Sequence, residues 1–172
     1  MVTFKVKILY LLSKVSLWKN RVVLLLWPNL LSVIRNQIVF EADLPAVNQL
    51  MLFNGSGNLI INGNCSFGYK LGGRHRGGSV EIQCRTKESK ISIGKNVATN
   101  NNVFICSSNY IEIGDNSLIG QNIMITGFEA HGTSPFKRTE CGEIGTVTGV
   151  FPANVIIGGM PAKILKNIDV NE

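Results

Sequence analysis

No apolar stretch in this chain is long enough to cross a bilayer. The longest nearly uninterrupted run, Val22 to Ile34, is thirteen residues and contains Pro28, whereas a spanning helix needs about 20. A secretory signal would place a small-residue cleavage site after its apolar core, and no convincing one follows here. The four cysteines, Cys65, Cys84, Cys106 and Cys141, show neither CxxC spacing nor a paired histidine, which argues against zinc. A chain of 172 residues this rich in repeats does not need a disulfide framework. The thiols read as small buried hydrophobes in a reducing cytoplasm. Acid is missing from one region altogether. Residues 1–40 hold Lys5, Lys7, Lys14, Lys19, Arg21 and Arg35 with no Asp or Glu, matching the whole net charge of +6. No DNA-reading motif or aromatic-interleaved basic patch accompanies those cations, so anionic lipid or an anionic cofactor is the more economical partner than nucleic acid.

What is present is a six-residue rhythm between Ile91 and His131. Apolar or β-branched residues recur at Ile93, Thr99 and Ile105, and again at Ile113, Ile119 and Ile125. Glycine follows the first residue of three of these hexads, at Gly94, Gly114 and Gly120. A period of six is neither helical nor that of a plain alternating strand. It suits a triangular β-coil, in which short strands alternate with turns and each face sends one side chain inward. The turns need residues that tolerate left-handed backbone angles. Asn116, Asn122 and the Asn100-Asn101-Asn102 run fit such corners. Three hexads make a coil of about 18 residues. The two triplets start twenty apart, so one corner carries two extra residues.

The flanks read differently. Over residues 4–26, Phe4, Ile8, Leu11, Val15, Trp18, Val22 and Leu25 recur at spacings of three and four, which predicts an amphipathic helix. It either packs across the coil stack with a second helix or lies on a membrane surface through its basic flank and Trp18/Trp27. Residues 41–56 read as a linker, with β structure starting near Leu59. The chain therefore divides into a helical segment and linker (1–56) and a β domain (57–172). The Gly72–Gly78 stretch, GGRHRGG, could cradle a phosphate or form a solvated corner loop. It lacks the strand, helix and GK[ST] of a P-loop. A protruding loop is expected at 132–142, followed by a closing segment.

The hexads IGKN, IGDN and LIGQN, the His131 just beyond them, and the tail from Phe151 to Lys163 that closes on Pro-Ala-Lys resemble the hexapeptide-repeat acyltransferases. The resemblance covers roughly residues 57–166. It implies a mainly β fold: a short left-handed parallel β-helix with N-terminal helices and a C-terminal cap, assembled as a homotrimer. It implies acetyl-CoA-dependent O-acetylation of a sugar hydroxyl in capsule or O-antigen polysaccharide assembly, in the cytoplasm or at the inner face of the membrane, with no metal. His131 then stands at the general base, and Glu129, two residues earlier, orients the ring or helps bind the acceptor. Asn100 falls on the family's acceptor-binding Asn. Thr148, Gly149, Lys163 and Lys166 fall on the coenzyme site. The chain departs from the family in reaching Phe151 roughly 35–50 residues early, one or two coils short on the usual layout. That leaves open an internally shortened, inactive relative acting as a structural or assembly subunit.

Overall fold

The computed structural model describes residues 4–127, 151–152, 155–158 and 163–168. Helix α1 spans Phe4–Asn20 and runs directly into a wider π-helical stretch, Arg21–Leu26, after which a short α2 covers Leu30–Ile34. The widening is visible in the Trp27 amide, which donates to the Val22 carbonyl five residues back at 2.8 Å. Pro28 supplies the stop, because its ring clashes with the carbonyl four residues earlier and it has no N–H to give.

From Ile38 onward the chain winds through three faces in turn. The first winding holds β1 (Ile38–Phe40), β2 (Ala46–Val47) and β3 (Leu50–Gly55). The second holds β4 (Asn58–Ile61), β5 (Ser66–Phe67) and β6 (Ser79–Cys84). The third holds β7 (Lys90–Ile93), β8 (Ala98–Thr99) and β9 (Val103–Ser107), and the fourth β10 (Tyr110–Ile113), β11 (Leu118–Ile119) and β12 (Met124–Thr126). Each face is a four-stranded parallel sheet: β1-β4-β7-β10, β2-β5-β8-β11 and β3-β6-β9-β12. The fold is mainly β, and three parallel sheets visited in rotation are compatible with a β-helix. A separate antiparallel pair joins β13 (Val155–Gly158) to β14 (Lys163–Asn167).

The six-residue rhythm is the register of these sheets. Ile93 pairs with Ile113, Thr99 with Ile119 and Ile105 with Ile125, each twenty residues on. Downward, the same rows continue through Ile61 and Phe40, through Phe67 and Val47, and through Ile82 and Phe53. The inner rows are dry: Ile61, Phe67, Ile82, Ile93 and Ile105 are fully buried. Each such side chain contributes up to about 1.5–3 kcal/mol relative to exposure. That burial depends on the winding above and below. In the fourth winding Ile119 and Ile125 are only half-buried. The extra two residues sit in the corner between β9 and β10, around Ser108-Asn109.

The 41–56 stretch is not a linker. It contributes β2, β3 and their pairing to β5 and β6, so the coil begins at Ile38. The inward residues of this first winding, Phe40, Val47 and Phe53, stand seven and six apart with Asp43, Pro45 and Gln49 between them, which hides the rhythm. Its outer edge is covered by the helical segment. Leu25 is fully buried, and the buried Asn29 side chain donates to the Leu25 and Met51 carbonyls and accepts from the Phe53 amide, all at 2.7 Å. Asn29 thus satisfies backbone groups of the edge strand β3. Arg21 donates to the Leu44 and Pro45 carbonyls. The expected amphipathic helix is correct in place but not in its buried face: the α1 stripe at Leu11, Val15 and Trp18 is exposed.

Candidate functional site

Asn100 is the one candidate acceptor residue within the coil, and it sits at the corner between β8 and β9. That corner is Asn100-Asn101-Asn102, and its three side chains do three different things. Asn102 adopts the left-handed conformation, φ 60°, and bonds across to Asn122 of the next winding at 2.8 Å. Asn101 is fully buried; its Oδ1 accepts from the Tyr69 amide at 2.8 Å, and its Nδ2 donates to the carbonyls of Tyr69 and Gly73 at 2.8 and 3.0 Å. Asn100 is half-buried and turns its Oδ1 back onto the Asn101 amide at 2.7 Å.

The segment these bonds hold is the glycine-basic excursion, which leaves the coil after β5 and returns at β6. It lies against the asparagine corner instead of standing free in solvent. Gly68, with φ 81°, begins it, and its amide donates to the Thr99 hydroxyl at 3.2 Å. Gly72 passes so close that a Cβ there would meet the side-chain ends of Asn100 and Asn101 and push them from their places. The Gly73 amide reaches Gln121 of the fourth winding at 3.1 Å. From below, the buried Gln49 donates to the Arg74 carbonyl and accepts from the Asn102 amide, both at 2.8 Å. Three windings therefore grip one loop. Arg74 itself is held at φ 55°, an arrangement that costs an ordinary side chain about 1–2 kcal/mol and that the Gln49 bond to its carbonyl helps offset.

Lys70, Arg74 and Arg76 of this loop are exposed, and His75 is half-buried with its Nδ1 buried and lacking a partner among the described residues. A fixed backbone presenting three cations can attract an anionic group on an acceptor or coenzyme. Beside the same corner, a shallow concavity of about 260 Å³ is lined by Ser79, Glu81, Asn102, Phe104, Asn122 and Met124. The Glu81 carboxylate there is engaged by Asn54 at 3.0 Å and by Gln83 at 2.8 Å. Among the described residues, no cluster of three or more His, Cys, Asp or Glu side chains could hold a metal.

The other candidate residues are distributed unevenly. Glu129, His131, Thr148 and Gly149 lie outside the described residues, as does the expected loop 132–142. Lys163 and Lys166 are exposed on β14, paired with Gly158 and Ile156 of β13. Nothing in the sequence pattern marks Gln49, Thr99, Asn101 and Gln121 as a group that holds this loop. The density of amide side chains around position 100 is a signal for Asn101 alone, and none marks Gln49 or Gln121. Among the described residues three cysteines are buried and free, Cys65, Cys84 and Cys106. Burial raises all three thiols, Cys84 to about 12, so at neutral pH they are protonated and poor nucleophiles. Comparison of the chain with family models, with curated proteins and with solved structures finds no match.

Proposed function

We propose that the protein is an acetyl-CoA-dependent O-acetyltransferase acting on a sugar hydroxyl in capsule or O-antigen polysaccharide assembly, built on a left-handed β-helix and working as a homotrimer. The observation that supports this most is the register of the hexads. They stack in twenty-residue steps through Ile105 and Ile125, and β12, the last described strand of the coil, ends at Thr126, three residues before Glu129 and five before His131. A repeat of this kind, followed at once by a carboxylate and an imidazole two residues apart, is the resemblance on which the activity rests.

In this reading His131 takes the proton from the acceptor hydroxyl as its oxygen attacks the thioester carbonyl. The imidazolium returns that proton to the departing thiolate, with no covalent enzyme intermediate. Imidazole suits the task because its ordinary pKa lies near neutrality. Glu129 fixes the ring, Asn100 meets the acceptor, and Thr148, Gly149, Lys163 and Lys166 meet the coenzyme. The His131→Ala variant is expected to lose turnover while retaining coenzyme binding by titration calorimetry. Wild-type rates in that variant would overturn the assignment. The short interval between His131 and Phe151 supports a second reading, an inactive structural subunit. Absence of acetyl-CoA binding at high micromolar coenzyme would favour it.

A further inference from the structure

We infer that the N-terminal helical segment is a docking surface for an anionic lipid headgroup layer, on which α1 lies parallel to the surface. The inference is independent of the acyl-transfer reading. Its first support is exposed apolar side chains held in a fixed place. Leu11 is 63% exposed, Val15 58%, Trp18 56% and Trp27 74%, and a protein rarely leaves several large apolar side chains of one short segment to water without a partner. Leu11, Val15 and Trp18 recur at steps of four and three, so they form one stripe along the helix. The segment is tied to the first winding by Leu25, by the Asn29 bonds to β3 and by Arg21 on the Leu44 and Pro45 carbonyls. The patch is thus presented by an anchored element.

Charge decides what covers it. At 100° per residue, Lys14 and Lys19 flank the stripe on opposite sides, where their stems can lie along apolar surface and their ammonium groups reach outward. Lys14 Nζ already sits 4.6 Å over the Tyr10 ring. Residues 1–40 carry six cations and no acid. Symmetric pairing of this face with a second copy would set those cations against their like. Phosphate headgroups complement them. No described helix is long and apolar enough to cross a membrane, so the geometry is that of a helix lying in the interface, with Trp18 and Trp27 at headgroup level.

The test uses the full chain with vesicles of phosphatidylcholine alone and vesicles containing phosphatidylglycerol. Co-sedimentation with the anionic vesicles only, weakened by salt, is expected, with a blue shift of the fluorescence of the two tryptophans. Reversing both exposed lysines, Lys14→Glu with Lys19→Glu, should lower partitioning roughly thirty-fold or more, given the usual gain per basic residue at such a surface. Because both side chains face solvent, far-ultraviolet circular dichroism should be unchanged. Three results would each overturn the inference: no sedimentation with anionic vesicles, equal sedimentation with neutral ones, or partitioning insensitive to the double reversal. A soluble oligomer that Val15→Glu dissociates, in a protein that ignores vesicles, would assign the face to a second copy and overturn it as well.

Discussion

Asn102 donates from its side-chain nitrogen to the side-chain oxygen of Asn122, one winding further along, at 2.8 Å, and both residues adopt the left-handed conformation. The neighbouring corner repeats the arrangement: Asn96 bonds to Asn116 at 3.0 Å, again with both in that conformation. Asparagine therefore does two jobs at each turn. It tolerates the backbone angles that a tight corner imposes, and it carries a hydrogen bond along the stack axis where the sheets have been interrupted.

Replacing Asn102 by alanine should expose both roles. Alanine in the left-handed region is strained by about 1–2 kcal/mol, and the ladder bond is lost as well, with a net worth of about 1 kcal/mol or less at an exposed site. Asn102→Gly loses only the bond. The urea midpoint should therefore fall further for Asn102→Ala than for Asn102→Gly. Equal midpoints for the two variants would show that the conformation is not what selects asparagine.

The Asn101 side chain should control the basic loop more than global stability. Its removal leaves the Tyr69 amide and the Gly73 carbonyl without the partner they have here, while the Tyr69 carbonyl keeps only the Gly72 amide at 3.1 Å, at about 1–3 kcal/mol for each orphaned group that water cannot reach. Asn101→Ala is therefore expected to speed tryptic cleavage at Lys70, Arg74 and Arg76 under native conditions. Asn101→Asp should not rescue it, since a carboxylate would accept from the amide but repel both carbonyls. Rescue by aspartate would contradict the bonding described.

The third and fourth windings are legible in the sequence because each inward side chain there recurs at a fixed interval, with Gly or Asn following four of the six: Ile93, Thr99, Ile113 and Ile119. Ile93, Ile105, Ile113 and Ile125 were placed by counting alone. The first winding was not, because Phe40, Val47 and Phe53 break the interval and Asp43-Leu44-Pro45 reads as a connection. The helical segment was legible as a helix, but not in its orientation. The wide turn at Arg21–Leu26 takes Leu25 off the stripe and into the core, and no local pattern announces such a turn. The asparagine corner was legible as a corner. Its grip on the excursion was not, because Asn101 and Tyr69 are 32 residues apart in the chain and only the stacking of windings brings them together.

Thr99 illustrates how a polar exception in an apolar rhythm can be required. It occupies an inward position between Phe67 and Ile119, where valine would bury an additional methyl group. Its hydroxyl, however, accepts the Gly68 amide at 3.2 Å, and Gly68 is buried with a positive φ that fixes where its N–H points. Thr99→Val should therefore destabilise by about 1–2 kcal/mol despite its greater hydrophobicity, while Thr99→Ser keeps the acceptor and loses only a methyl group. A valine variant as stable as the parent in urea would mean that the Gly68 amide finds another partner.

The buried thiols give stability a defined dependence on alkaline pH. Burial raises the Cys84 thiol from 9.0 to about 12, and Cys65 and Cys106 move the same way for the same first cause. Between about pH 9 and 12 the unfolded chain releases the Cys84 proton while the folded one keeps it. The unfolded state then binds fewer protons, so raising the pH lowers stability, by at most about 1.4 kcal/mol per pH unit for each such thiol. Below pH 9 both states hold the proton and this contribution to the pH dependence vanishes. Lysines and tyrosines also titrate in the alkaline range, so the informative quantity is a difference between variants. Cys84→Ala should be less stable at neutral pH, because it leaves a small cavity among Ile82, Ile91 and their neighbours, yet its stability should decline less steeply above pH 9. Native alkylation with iodoacetamide should be slow and become fast in denaturant. If Cys84→Ala and the parent lose stability with the same slope, the thiol is exchanging its proton in the folded state, and the dry interior of the β6 face is wetter than its packing implies.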